Sequence, residues 1–287
     1  MAQGTDKNIS GGEDWKNTSE IATSLITPNS VIAMAATLDH PTSAQIGAPL
    51  PELWHWLYFW PLTPQADLLP DGHAEKGPIP DFGLPRRMFA GTRATFHAPV
   101  KIGQTVSRRT RVADVTEKSG KNGRLVFVKL KHELHDQSGQ LLLDEERDIV
   151  FREPPRPGAP QPEPQSEAAA PVWHREIVPT EALLFRYSAL TFNSHRIHFD
   201  HPYTTQVEGY PGLIVHGPLI ATLLVDLVRR SVPGAKLRTV SLKAIRPTFL
   251  GHHFTVCGRP LDNGKDLELW AKDHDGYVTM TAKAVLA

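Results

Sequence analysis

Apolar and polar residues alternate with a period of two through long stretches of both halves of the chain. The clearest case is 125–135, Leu-Val-Phe-Val-Lys-Leu-Lys-His-Glu-Leu-His. That rhythm marks a strand with one face buried. Related stretches lie at 105–115, 141–151, 254–259, 267–273 and 277–285. Between them stand Ser138-Gly139, Asp262-Asn263-Gly264 and Asp273-His274-Asp275-Gly276. These are turn sequences, because Gly and Asn enter the left-handed region at little cost. Each half is therefore predicted to end in an antiparallel meander.

Two apolar segments break the alternation. Residues 31–38 predict a short helix in the first half, and 217–230 a longer one in the second. Pro218 suits a first turn, where its missing N–H costs nothing. Apolar residues cover most of this helix's circumference, so it should be buried. Arg229 and Arg230 face the negative end of its dipole, and Pro233-Gly234 stops it. An apolar helix followed by an antiparallel sheet able to wrap it is the hot-dog arrangement of the α+β class. A generic α+β domain carries the same pattern.

The stretch 153–170 is rich in Pro and Ala and poor in bulky apolar residues. It reads as an extended tether between an N-terminal domain, 1–152, and a C-terminal domain, 171–287. A short motif recurs across it. In the first half a strand-like run from Arg86 reaches Pro99 and then Gly103; in the second, a run from Arg238 reaches Pro247 and then Gly251. The spacing from proline to glycine is the same in both, which points to a duplication.

The length of 287 residues suits two domains. Lys plus Arg and Asp plus Glu number 31 each, so the net charge is zero. Neither nucleic acid nor an anionic membrane surface is then expected as the main partner. The single cysteine, Cys257, excludes an internal disulfide and a cysteine-based zinc cage, and reads as an inert strand residue. The polar N-terminus lacks secretory-signal character, and no apolar run reaches the roughly 18 residues of a membrane span. A soluble, cytoplasmic protein is the expectation.

Two segments concentrate chemistry: 191–203, Thr-Phe-Asn-Ser-His-Arg-Ile-His-Phe-Asp-His-Pro-Tyr, and 212–219, Gly-Leu-Ile-Val-His-Gly-Pro-Leu. The second opens the buried helix. A helix start offers unpaired N–H groups and the positive dipole end, as an enolate or thioester oxyanion requires. Pro218 has no N–H, so Gly217 is the natural donor, and its bare Cα admits an acyl group. A neutral histidine nearby could take a proton from water or carbon at neutral pH. Asp200 before His201-Pro202 reads as the cap of a following short helix. His195 and His201 read as solvated or supporting residues. No His-Glu-x-x-His spacing occurs among the histidines, and no metal is expected.

The order Asn193-x-x-x-x-His198, Asp200, His216-Gly217-Pro218-Leu219 resembles the MaoC-like (R)-specific enoyl-CoA hydratase family. The resemblance implies a hot-dog fold, His198 as the proton-transferring residue and Gly217 as the oxyanion donor. The family's motif has Asp where this chain has Asn193, and an amide cannot act as a base. Asn193 is therefore expected to orient the water while His198 moves protons. The longer wording, with 53–59 and 84–91, is similar to the two-hot-dog hydratases of branched C5 dicarboxylyl-CoAs such as 3-methylfumaryl-CoA (mesaconyl-C4-CoA) and itaconyl-CoA.

That resemblance implies hydration of 3-methylfumaryl-CoA to citramalyl-CoA, with CoA arriving as part of the substrate and no other cofactor. Alternatives are itaconyl-CoA hydration, dehydration of straight-chain 3-hydroxyacyl thioesters, thioester hydrolysis and non-catalytic acyl-CoA binding. Arg86, Arg87, Arg196 and Arg246 are the candidates for CoA phosphates or a distal carboxylate. His216 is placed beside the substrate, fixing the turn into the helix. The aromatic run 54–60 reads as core or as the wall of an acyl tunnel. At the repeat offset the first half has Gln45 and Leu50 in place of Asn193 and His198, and nothing like His216-Gly217. It is expected to shape the pocket without catalysing. Pairing of two copies into a homodimer stays open.

Overall fold

The structure is a computed structural model that describes residues 19–74, 77–120, 123–153, 164–166 and 169–287. The N-terminal reading and most of the tether lie outside these residues. Among the described residues ten strands form one antiparallel sheet. In chain order they are β1 (Ser19–Leu25), β2 (Arg86–Phe96), β3 (Thr105–Gly120), β4 (Gly123–His135), β5 (Leu141–Arg152), β6 (Trp173–Ile177), β7 (Leu237–Ala244), β8 (Phe254–Pro260), β9 (Asp266–Lys272) and β10 (Val278–Leu286).

Their order in the sheet is β1-β3-β4-β5-β2-β7-β10-β9-β8-β6. Read from its two edges inward, that order is the same topology twice, with the halves meeting where β2 pairs with β7. Gly91–Thr95 runs antiparallel to Thr239–Lys243 along this seam. The proline–glycine motif follows β2 and β7, and both glycines sit at positive φ, Gly103 at 84° and Gly251 at 96°. An L side chain would be strained at either position.

The helices are α1 (Pro28–Leu38), α2 (Glu181–Thr191) and α3 (Gly217–Ser231). All ten residues from Leu219 to Val228 of α3 are buried. The helix packs on β8, β9, β10 and β6. This is the wrapped central helix expected of a hot dog, and burying so many aliphatic side chains at about 1.5–3 kcal/mol each outweighs any propensity term. Between α1 and β2 the first half carries only short 3-10 turns, Trp54–Leu57 and Gln65–Asp67, and no counterpart of α3 among the described residues. Trp54 and Leu57 fill the core there. One apolar cluster runs through both halves, from Ile26 and Met34 to Met280 and Ala284.

Three elements were not anticipated from sequence: β1, β6 and α2. In α2, Thr180 caps the start by accepting from the Leu183 N–H at 3.1 Å. Only Leu184, Tyr187 and Ser188 of this helix are buried, too narrow a stripe to read as a period.

Candidate active site

One cavity of about 1680 Å³ lies where the two halves meet, and Asn193, His198 and Gly217 all line it. The chain brings them together by local pairing. The Ile214 N–H donates to the Ile197 carbonyl at 3.0 Å, and the Val215 N–H to Thr248 at 2.8 Å. The first bond ties the 196–198 turn to the strand-like approach to α3, and the second ties that approach to the segment after β7. The His198 and His216 rings then stack with centroids 3.6 Å apart. Gly217 is the next residue, at the first turn of α3.

His198 is buried, and its Nδ1 lies 2.7 Å from the Ile214 carbonyl oxygen. A carbonyl only accepts, so Nδ1 carries the proton and Nε2 carries the lone pair of the neutral ring. Burial pulls its pKa down to about 4, against the opposing pull of the Ile214 carbonyl. The ring is thus uncharged and basic at Nε2 at neutral pH. His216 is completely buried and held well below the ordinary histidine range, first by burial and then by His198 and His195. Its Nε2 lies 2.8 Å from the Ser188 hydroxyl. It does not reach the cavity wall, so its part is to support the His198 ring.

Asn193 follows the left-handed residue Phe192 that ends α2. Its Oδ1 accepts the His195 N–H at 3.0 Å. That bond fixes the side chain and leaves the Nδ2 hydrogens to point at a ligand atom. At the other wall, the first-turn amides of α3 have no partners within the helix. A Cβ built on Gly217 would sit 2.8 Å from Phe89 Cδ1 on β2, so only glycine fits this approach. Gly217→Ala should then displace α3 or Phe89. We expect kcat to fall about 10²-fold and stability by about 1–3 kcal/mol. Steady-state kinetics beside thermal unfolding would check this, and wild-type turnover would remove the Gly217 approach from the chemistry.

The first half reaches this site through the 69–74 loop. Arg196 N–H donates to the Asp71 carbonyl at 2.9 Å. Gly72 presses so close to Ser194 that a Cβ there would lie 1.9 Å from the Ser194 carbonyl oxygen. His73 Nδ1 donates to Asp71 Oδ2 at 2.8 Å, and the His73 ring lies 4.1 Å from that of His195. His195 in turn stands edge-on to His198 at 5.5 Å. Far from being solvated, His195 is buried and pulled down to about 2, first by burial and then by His73 and His198. Ligand atoms of Asp71, His73 and His195 lie within 4.8 Å of one another. With His73 Nδ1 protonated toward Asp71, only the Nε2 of that ring could ligate a cation there. His201 is exposed, and Asp200 caps the next turn by accepting from the Tyr203 N–H at 3.0 Å.

The four arginines singled out by sequence divide. Arg196 does not line the cavity. It is spent on Asp200 at 2.7 Å, on the Pro70 carbonyl at 2.8 Å and on the Tyr203 ring. Arg86 lines the cavity but is paired with Glu208 at 3.0 Å. Arg246 lines it half-exposed, 3.5 Å from Asp273. Arg87 lines it with no ion pair among the described residues, stacked over Phe151 at 5.9 Å. Of the aromatic run, Trp54 and Leu57 are core, and Trp56, Tyr58, Phe59 and Trp60 face the cavity. Sequence reasoning missed Arg108, His132 and Arg147, which also line it. The readable signal was His132, a polar residue in the inward phase of β4.

Comparisons with known proteins bear on the family, the fold and the reaction class. Residues 53–250 match the model of the hydroxyacyl-thioester dehydratase type 2 family. The chain is 45% identical over 260 residues to mesaconyl-C(4)-CoA hydratase of Chloroflexus aurantiacus, covering 89% of this chain and 90% of that one. Among solved structures, a MaoC-like dehydratase superposes with a TM-score of 0.69 at 13% identity, covering 93% of this chain and 97% of that one. A Mycobacterium tuberculosis protein described as having a double hotdog fold superposes at 0.57 with 14% identity, covering 95% and 98%. The chain belongs to the hydroxyacyl-thioester dehydratase type 2 family and is a hydro-lyase, a hydratase/dehydratase built on a double hot-dog fold.

Proposed function

We propose that the enzyme adds water reversibly across the C2–C3 double bond of a short branched dicarboxylyl-CoA, of which 3-methylfumaryl-CoA, giving citramalyl-CoA, is the leading candidate. The observation that carries this reading is the convergence of a neutral His198 and the Gly217 amide on one cavity. The 45% identity to mesaconyl-C(4)-CoA hydratase supports the acyl group. The Gly217 N–H polarises the thioester carbonyl and stabilises the enolate that forms as hydroxide character builds at C3. His198 Nε2 takes one proton from the attacking water and returns it to C2, so the water's oxygen ends on C3 and the proton count balances. Asn193 Nδ2 donates to the water oxygen and holds its lone pair toward C3. The reading needs no metal or redox group, and CoA enters with the substrate.

In this reading residues 171–287 carry the reacting groups and 1–152 supply much of the wall around the acyl chain. Dehydration of straight-chain 3-hydroxyacyl thioesters is the second reading, favoured by the family model itself. Purified protein assayed against 3-methylfumaryl-CoA, itaconyl-CoA, crotonyl-CoA and a long-chain 2-enoyl-CoA decides between them. Loss of enoyl absorbance with 3-methylfumaryl-CoA at the highest kcat/KM is the expected result. A preference for long straight chains would replace the substrate assignment. Release of free CoA would mark thioester hydrolysis instead.

A further inference from the structure

A tight turn of the first half delivers an imidazole to the corner of the cavity that holds Asn193 and His198. Leu68 and Ala74 pair across this turn, and the Gly72 N–H donates to the Leu69 carbonyl at 2.8 Å. Three bonds tie it to the catalytic segment. The Arg196 N–H donates to the Asp71 carbonyl at 2.9 Å, Arg196 Nη1 to the Pro70 carbonyl at 2.8 Å, and the Ser194 hydroxyl to the Gly72 carbonyl. His73, the next residue, lines the cavity and Asp71 does not.

One carboxylate holds His73 twice. Asp71 Oδ1 accepts the His73 backbone N–H at 2.9 Å, and Oδ2 accepts from the ring Nδ1 at 2.8 Å. Burial pushes the Asp71 carboxyl up, but the bonds and charge of His73 override it and hold it at about 2. An ionised carboxylate only accepts, so Nδ1 keeps the proton and Nε2 has the lone pair of the neutral ring. That Nε2 has no hydrogen-bond partner among the described residues. His198 is set in the same way, with Nδ1 on the Ile214 carbonyl and Nε2 left over.

The two rings flank one spot. His73 lies 4.1 Å from the His195 ring, which stands 5.5 Å from that of His198. A proton on His73 would be felt by His198, whose pKa it lowers.

The attacking water has two hydrogens and two lone pairs. In the proposed reaction His198 Nε2 takes one hydrogen, Asn193 Nδ2 donates to one lone pair, and the other lone pair attacks C3. The second hydrogen still needs an acceptor, since an unmatched O–H in a closed cavity is costly. Neighbouring acceptors are spent: Asn193 Oδ1 on the His195 N–H, and the Ser188 hydroxyl on His216.

We infer that His73 is a catalytic residue supplied by the first half: its Nε2 accepts the second hydrogen of the attacking water, and Asp71 is the positioning residue that fixes its ring and tautomer. This deepens the proposed function and rests on its hydration step. The hydrogen stays on oxygen and becomes that of the product hydroxyl, so the proton balance through His198 is unchanged.

The test compares three variants with wild type on whichever enoyl-CoA wild type hydrates best. Asparagine at 71 cannot accept from both the His73 backbone and its ring. The ring then takes its other tautomer, and Nε2 meets the water as a donor. Asp71→Asn and His73→Leu should each lower kcat at least about tenfold, the weight of one unmade hydrogen bond, with KM within about twofold of wild type. His73→Gln, whose side-chain oxygen can stand in the place of Nε2, should recover most of that loss. Nitrogen resonances of isotope-labelled histidine should show His73 Nε2 unprotonated in wild type and protonated in Asp71→Asn.

Butyryl-CoA has no double bond to hydrate, and its affinity by calorimetry should match wild type in all three variants. A loss of that affinity in step with kcat would mean that the turn only shapes the pocket, and would overturn the inference. Hydration by wild type with kcat unchanged in Asp71→Asn and His73→Leu would overturn this inference alone. No hydration of any enoyl-CoA by wild type would overturn the proposed reaction and this step with it. Loss of wild-type turnover on dialysis against a chelator would put a cation on Nε2 in place of water, and would also overturn it.

Discussion

Replacing His198 by Ala should lower kcat/KM by about 10² to 10⁴-fold, the range of a positioned general acid–base group. The argument is geometric first. The Ile214 carbonyl binds Nδ1 at 2.7 Å, the His216 ring backs one face at 3.6 Å, and Nε2 is left for water. Asn193 has no proton to exchange in this range. The loss should therefore appear in kcat. The pH profile follows from the same burial. The base works only when neutral, so activity is present above the folded pKa of about 4 and is lost as pH falls through it, well below the 6.5 of an exposed imidazole.

Stability moves over a different window. An unfolded His198 takes a proton near 6.5, whereas the folded one resists it until about 4. Folding therefore weakens as pH falls between those values. Melting curves recorded at each pH separate the two effects. Unchanged turnover in the His198→Ala variant would remove this imidazole from the reaction. An acid limb near 6.5 in a protein that is still folded would show that the catalytic ring is more exposed than His198.

Most of this site was legible because it is local in sequence. Asn193, His198 and Gly217 sit in two short segments, and a helix start announces its own free amides whatever packs around it. The strands were legible for a similar reason: β4 alternates without a break, so its buried face can be counted off. What could not be read is what the other half brings. Asp71 and His73 lie in a loop that gains meaning only when Gly72 lands on Ser194. Arg196 stood between the catalytic residues in sequence, yet a turn of the chain aims it outward at Asp200 and Pro70. Arg108 and Arg147 look like ordinary surface charges until the register places them on the inner face of β3 and β5. The buried ion cluster at the end of α3 was hidden in the same way, since its members come from four separate stretches of chain.

That cluster carries the largest expected effect on stability. Asp226 is completely buried in α3, and its Oδ2 lies 2.6 Å from Arg230 Nε and 3.2 Å from Arg175 Nη1. Its Oδ1 lies 3.4 Å from His40 Nε2 and 3.6 Å from Arg229 Nη2. The arginines then reach across to the first half. Arg175 and Arg230 both donate to the Leu38 carbonyl, Arg230 also to that of Asp39, and Arg229 pairs with Glu52 at 3.4 Å. One carboxylate thus holds three guanidiniums that clamp the end of α1 to the end of α3. Asp226→Asn keeps the shape but removes the charge and leaves those cations facing one another. Breaking one side of a buried ion pair costs about 3–5 kcal/mol, so urea unfolding of the variant should shift by that amount. The chemistry should suffer less, because Gly217 lies nine residues away, about 14 Å along the helix axis. At a temperature where the variant is folded, kcat should stay within severalfold of wild type. A stability loss under about 1 kcal/mol would mean that solvent already screens the cluster and that the apolar core alone joins the two halves.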